Sequence, residues 1–155
     1  MTKTIEGKLI GTGLRIGVVS CRWNDFMGQR MLDGAVDTLR RHDVADDDIT
    51  VIIVPGSYEV PLAAKRMAAS GKYDALVCLG VLIRGGTIHF DLIAGEASGG
   101  IARAAWETGV PCAFGVITTE TMEQAIERAG SKAGNKGAEA AAAALELANL
   151  LKQLD

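Results

Sequence analysis

The chain has 155 residues and a mass of 16.2 kDa, the length of a single domain (1–155) able to bury one core. A hydrophobic content of 48% with 23% charged residues is globular and excludes disorder. The net charge of −3 lacks the basic excess of a nucleic-acid binder, and no apolar run approaches the ~20 residues of a membrane span.

A short leading strand is expected at 5–10, set off by Gly11 and Gly13. Val-, Ile- and Leu-rich runs at 15–20, 49–54, 75–83 and 112–117 alternate little, as in parallel strands covered on both faces. Helical segments separate them at 26–41, 60–70 and 91–108. The first carries Met31, Ala35, Val36 and Leu39 on one face and ends in Arg40, Arg41 and His42. Inside the third, Gly95, Gly99 and Gly100 cost roughly 1 kcal/mol each against alanine, so that helix is expected to press on another backbone, across a subunit contact. Thr121 and Gln124 open a short helix that Gly130 closes, and 137–154 forms a last, alanine-rich helix. The order (β)βαβαβαβαα predicts a parallel α/β sheet with helices on both faces, a three-layer α/β/α sandwich.

In such sheets ligands bind beyond the carboxyl ends of the strands. Trp23, Tyr58 and Phe90 each follow a strand, and three aromatics at one edge suit a flat ring. Arg84-Gly85-Gly86-Thr87 combines glycines, a helix start and an arginine, a setting for an anion such as phosphate. His89 shares that loop and fits proton transfer, whereas His42 reads as a partner of its helix end. Arg128 either complements a helix C-terminus or adds positive charge to the site, as do Lys132 and Lys136 or else a solvated loop. Asp46-Asp47-Asp48 lacks metal-ligand spacing and reads as a solvated turn. No P-loop or dinucleotide fingerprint occurs, so no nucleotide cofactor is indicated. Cys21, Cys78 and Cys112 are odd in number and form no CxxC pair, which argues against disulfides and zinc and for a reducing, cytoplasmic location. Cys21, at a strand end, reads as a buried thiol rather than a nucleophile. Residues 1–13 lack the apolar stretch of a signal peptide.

Four motifs, PGSYEVP (55–61), GVLIRGGTIHFD (80–91), FGVITTETMEQAIERAG (114–130) and SKAGNKG (131–137), closely resemble the lumazine synthase family of riboflavin biosynthesis. The resemblance runs from about residue 5 to 151 in the same order. It implies a flavodoxin-like fold and condensation of 5-amino-6-(D-ribitylamino)uracil with 3,4-dihydroxy-2-butanone 4-phosphate, two small-molecule substrates. The products are 6,7-dimethyl-8-ribityllumazine, orthophosphate and two waters, formed with no metal or organic cofactor. By the same resemblance Trp23 stacks on the pyrimidine. Ser57, Tyr58 and Glu59 hold the ribityl chain, and Val81, Leu82, Ile83 and Phe114 frame the ring. Gly86, Thr87 and Arg128 bind the phosphate, and His89 shuttles protons. Trp23 stands where the family often has Phe, Ile88 where many members have Pro or Thr, and Gly86 where many have Ala.

The resemblance also implies pentamers whose sites lie between subunits, with Trp23 and the Tyr58 loop facing Phe114 and Arg128 of a neighbour. The leading segment within 1–13 is expected to add to a neighbour's exposed sheet edge. The short 130–137 connection is similar to that of members forming sixty-subunit icosahedral shells, and riboflavin synthase is a further partner it suggests. A non-catalytic carrier of a flavin or precursor would use the same aromatic edge. A phosphoacceptor receiver would need an Asp at a strand end, and no strand ends in one.

Overall fold

The computed structural model describes residues 1–23, 25–131 and 134–155. Asn24, Lys132 and Ala133 lie outside the described residues. Strands β1 (Ile16–Cys21), β2 (Ile49–Val54), β3 (Ala75–Ile83) and β4 (Cys112–Thr119) form one parallel sheet in the order β2-β1-β3-β4. The helices are α1 (Asp25–Arg41), α2 (Val60–Ala69), α3 (His89–Thr108), α4 (Met122–Arg128) and α5 (Lys136–Leu154). The flavodoxin-like three-layer α/β/α sandwich read from the sequence is the fold observed.

Alternate residues of each strand divide between two cores, as the period of two requires. Val77, Leu79 and Val81 of β3 pack with α1, α4 and α5 in one core. Leu76 and Cys78 pack with α2 and α3 in the other. Alanines 140, 141, 144 and 148 are buried along α5, and their small side chains let that helix lie close on the sheet. The inner strands β1 and β3 are covered on both faces, but the edge strands depart from the expected two-sided burial, β4 at Phe114 and Thr118 and β2 more widely. Strand β2 exposes Val51 and Ile53.

Segment 5–10 is not a strand in this chain. It lies across α5, where Asn149 Nδ2 donates to the Lys8 and Ile10 carbonyls at 2.6 and 2.8 Å, and Gln153 Nε2 to the Glu6 carbonyl at 2.8 Å. These side-chain donors serve carbonyls that would otherwise need a ladder partner. Gly7 presses so closely on α5 that a Cβ would overlap the Glu146 carbonyl. Gly7→Ala is therefore expected to release the segment, raising the rate of tryptic cleavage after Lys8 by about tenfold or more. An unchanged rate would refute the anchoring.

Helix α3 is continuous through its three glycines and starts at His89, two residues before the expected boundary. Gly100 meets Pro61 of α2 within the chain, where a Cβ would stand 2.6 Å from the proline Cβ. The close approach predicted across subunits is thus made internally at this position. Gly95 has open space around it, and Gly99 meets only the tip of Arg103. Thr121 caps α4 by accepting from Gln124 N at 3.2 Å, and α4 ends at Arg128, with Gly130 following at φ +117°. A two-strand antiparallel pair, β5 (Ala129–Ser131) and β6 (Gly134–Asn135), was not expected from the sequence. Asp46–Asp48 form an exposed turn of 3₁₀ helix whose Asp46 pairs with Arg40 at 2.6 Å.

All three cysteines pack in the α2/α3 core and are free. Cys78 and Cys112 share one sheet face of neighbouring strands, and their thiols hydrogen-bond to each other. Hydrogen bonding from Cys78 lowers the Cys112 thiol below its ordinary value, against an opposing effect of burial, while Cys78 is pushed well up. Burial pushes Cys21 up to about 11, against a smaller lowering by the adjacent Ser57 hydroxyl. A thiolate reagent at about pH 7.5 is therefore expected to label half-buried Cys112 first, with Cys21 and Cys78 reacting only on unfolding. Equal labelling rates at all three would contradict this order.

Candidate active site

The chain leaves β1 toward β2 on one side and returns to β3 on the other, so the switch point lies between the carboxyl ends of β1 and β3. A cleft of about 390 Å³ opens there, lined by Cys21, Trp23, Gly56, Ser57, Val81, Leu82, Ile83, His89, Ile93 and Met122. Six of the residues singled out in the sequence meet in it: Trp23, Ser57, Val81, Leu82, Ile83 and His89. Tyr58 and His89 also line an adjoining hollow of about 400 Å³ with Leu92, Ile93 and Glu96.

The β1–β2 ladder continues past the strands, which fixes the cleft's upper wall. Arg22 N donates to the Val54 carbonyl at 2.8 Å and Trp23 N to the Pro55 carbonyl at 3.0 Å. Trp23 remains 62% exposed, its ring against Gly56 and one face open. Glu59 Oε1 accepts from Gly56 N at 3.0 Å and so ties down the loop that carries Ser57 and Tyr58. One of the two oxygens of that carboxylate is thus engaged by the loop.

Ser57 lies deeper, 5% exposed, with its Oγ against the backbone of Gly80. The neighbouring Cys21 thiol donates instead to the Leu79 carbonyl at 3.3 Å. The Ser57 hydroxyl is buried with only the Cys21 sulfur, a weak acceptor, beside it, a position that costs free energy unless a ligand supplies a better partner. It is the only such side-chain atom among the described residues.

On the opposite wall, His89 is the first residue of α3 and is exposed. Its N–H donates to Thr87 Oγ1 at 3.3 Å, which ties the glycine loop to the helix start. Gly85 and Gly86 have nothing within 4 Å of where a Cβ would stand, so the loop backbone is open to a ligand. The N-terminal N–H groups of a 20-residue helix point toward this loop.

Two expectations change. Arg84 is not free for an anion: its guanidinium pairs with Asp91 at 3.1 Å and Glu120 at 3.0 Å, contacts that raise its pKa. The same guanidinium covers Phe90 at 4.5 Å, which leaves Trp23 and Tyr58 as the exposed aromatics of this edge. Phe114 and Arg128, expected to face Trp23 and the Tyr58 loop from a neighbouring chain, do not line the cleft of their own chain. Phe114 projects from the edge strand β4, 47% exposed, and Arg128 NH1 donates to the Gln124 carbonyl at 3.1 Å. Lys136 faces Glu139 at 3.6 Å in the first turn of α5.

Sequence reading passed over Ile93 and Met122 as cleft residues. Ile93 was findable, since it falls four residues after His89 and therefore on the same face of a helix. Met122, at the start of α4, carried no comparable signal. A groove of about 340 Å³ between α2 and α3 also runs from Tyr58, but its Lys65 and Glu107 pair with each other.

A family model described as 6,7-dimethyl-8-ribityllumazine synthase matches residues 13–152. The match spans all four strands and nearly all of α5, and it includes every residue that lines the cleft. With that match over a parallel sheet of the expected topology, this chain belongs to the 6,7-dimethyl-8-ribityllumazine synthase family, transferase-type enzymes of riboflavin biosynthesis.

Proposed function

We propose that the chain condenses 5-amino-6-(D-ribitylamino)uracil with 3,4-dihydroxy-2-butanone 4-phosphate to 6,7-dimethyl-8-ribityllumazine, phosphate and two waters. The observation that carries this reading is the buried Ser57 hydroxyl, with no partner but the weakly accepting Cys21 sulfur, in the same cleft as a largely exposed Trp23 ring. A ribityl hydroxyl satisfies the first while the pyrimidine stacks on the second. Tyr58 and the remaining acceptor capacity of Glu59 serve the rest of the polyol. The Val81–Ile83 end of β3 presents backbone groups to the ring edge.

The pyrimidine's 5-amino group attacks the butanone carbonyl, and loss of water gives an imine. Elimination then expels phosphate, and the ribityl-bearing nitrogen closes the second ring with loss of a second water. Each step moves a proton at a group within reach of the cleft wall, a role suited to His89. Gly86, Thr87 and the start of α3 supply backbone donors for the phosphate, joined by Arg128. Holding amine and ketone together supplies much of the rate.

Phe114 and Arg128 reach such a site when a second chain sets its β4 edge and α4 against the first. The open space at Gly95 and Gly99 and the exposed Val51 and Ile53 support the same arrangement. We assign the assembly as a pentamer with sites between subunits, closing into a sixty-chain shell of about 970 kDa rather than stopping at about 81 kDa. Native mass spectrometry distinguishes the two, and an active 16 kDa monomer overturns the shared site. Mixing the two substrates and following lumazine fluorescence with phosphate release tests the reaction. Binding of the pyrimidine without turnover would mark a carrier instead.

A further inference from the structure

Gly56 has φ −151° and ψ −177°, extended backbone that any residue adopts. Conformation therefore does not explain a glycine here. What a side chain would meet does: a Cβ at this position runs into Cε3 and Cζ3 of the Trp23 indole. The peptide under the ring is also held on both sides. Trp23 N donates to the Pro55 carbonyl, and Gly56 N donates to Glu59 Oε1. A flat, clamped, side-chain-free peptide thus lies against one edge of an indole whose outer face is open to the cleft.

We propose that Gly56 is a positioning residue that seats the Trp23 ring, with Glu59 locking the seat, so that the width of the pyrimidine slot is set by the missing side chain at 56. The inference rests on the functional reading above for its ligand, but the seat is a property of the chain alone. A methyl at 56 must lift the indole toward the opposite wall, narrowing the slot and freeing the ring. Tryptophan uses more of this seat than phenylalanine does, because the second ring of the indole supplies both atoms that a Cβ would strike. The chain's Trp23 and its bare peptide at 56 are in this sense one feature.

Two readouts test it in a Trp106→Phe background, since Trp106 is 90% exposed and the only other tryptophan. The first needs no ligand. Time-resolved anisotropy of Trp23 is expected to show a fixed ring with Gly56 and a fast-moving one with Gly56→Ala, at unchanged thermal midpoint. The second uses 6-(D-ribitylamino)uracil, which lacks the reacting 5-amino group and cannot turn over. Gly56→Ala is expected to weaken its binding about tenfold, within the range of one aromatic stacking contact. Adding Trp23→Phe to Gly56→Ala is expected to return affinity to within about threefold of Trp23→Phe alone, because the smaller ring clears the methyl. A Gly56→Ala protein with a fixed ring, or a double variant whose losses add, overturns the proposal. Failure of the uracil to bind the parent chain, with the anisotropy change intact, overturns the functional reading and leaves the seat standing.

Discussion

His89→Ala is expected to slow lumazine formation by roughly one to three decades at saturating substrates while leaving a measurable residue of activity. The expectation follows from position. His89 stands at the first turn of α3, exposed on the wall opposite Trp23, and its backbone is tied to Thr87. No other histidine is near: His42 sits at the far end of α1, its Nδ1 2.8 Å from the Thr38 carbonyl. The residue of activity should remain because Trp23 and Ser57 still hold the pyrimidine, and proximity does not depend on the imidazole. Stopped-flow absorbance under single-turnover conditions separates the chemical steps from product release. An unchanged single-turnover rate would remove His89 from proton transfer.

Arg128→Ala is expected to raise KM for the butanone phosphate about a hundredfold and KM for the pyrimidine less than threefold, since only the former carries a dianion. Two arginines were available for this role, and their surroundings separate them. Arg84 is already neutralised by Asp91 and Glu120. Arg128 has one contact to a carbonyl, and among the described residues no carboxylate pairs with it. Its removal costs α4 one end contact of about 0.5 kcal/mol, so a stable protein is expected. Arg84→Ala, by contrast, should leave the phosphate KM nearly unchanged. Equal losses for both substrates in Arg128→Ala would place that side chain elsewhere.

Strands β2 and β3 were legible to the residue because a continuous β-branched run (49–54) and a continuous apolar run (75–83) end abruptly at Pro55 and at Arg84-Gly85. The start of α3 was not, since a Gly-Gly loop conceals where the first helical turn begins. Segment 5–10 reads as a strand by pattern, but a strand is defined by its partner, and this chain offers side-chain amides instead of a ladder. At the site, Trp23 and His89 drew notice because strand ends converge, whereas Ser57 drew notice only through the family resemblance. The fate of Arg84 was not visible, because Asp91 and Glu120 reach it from α3 and from beyond β4, 7 and 36 residues away. Gly100 and Gly56 show the same limit, as a glycine announces close approach without naming what approaches.

That the cleft of one chain holds His89 but not Arg128 has a genetic consequence. If neighbouring chains complete each other's sites, His89→Ala and Arg128→Ala damage opposite halves of the same site. Two defective alleles of this kind complement when their products co-assemble. With random mixing of equal amounts, about a quarter of the sites pair an intact His89 with an intact Arg128, so a mixed assembly recovers close to that fraction of normal activity.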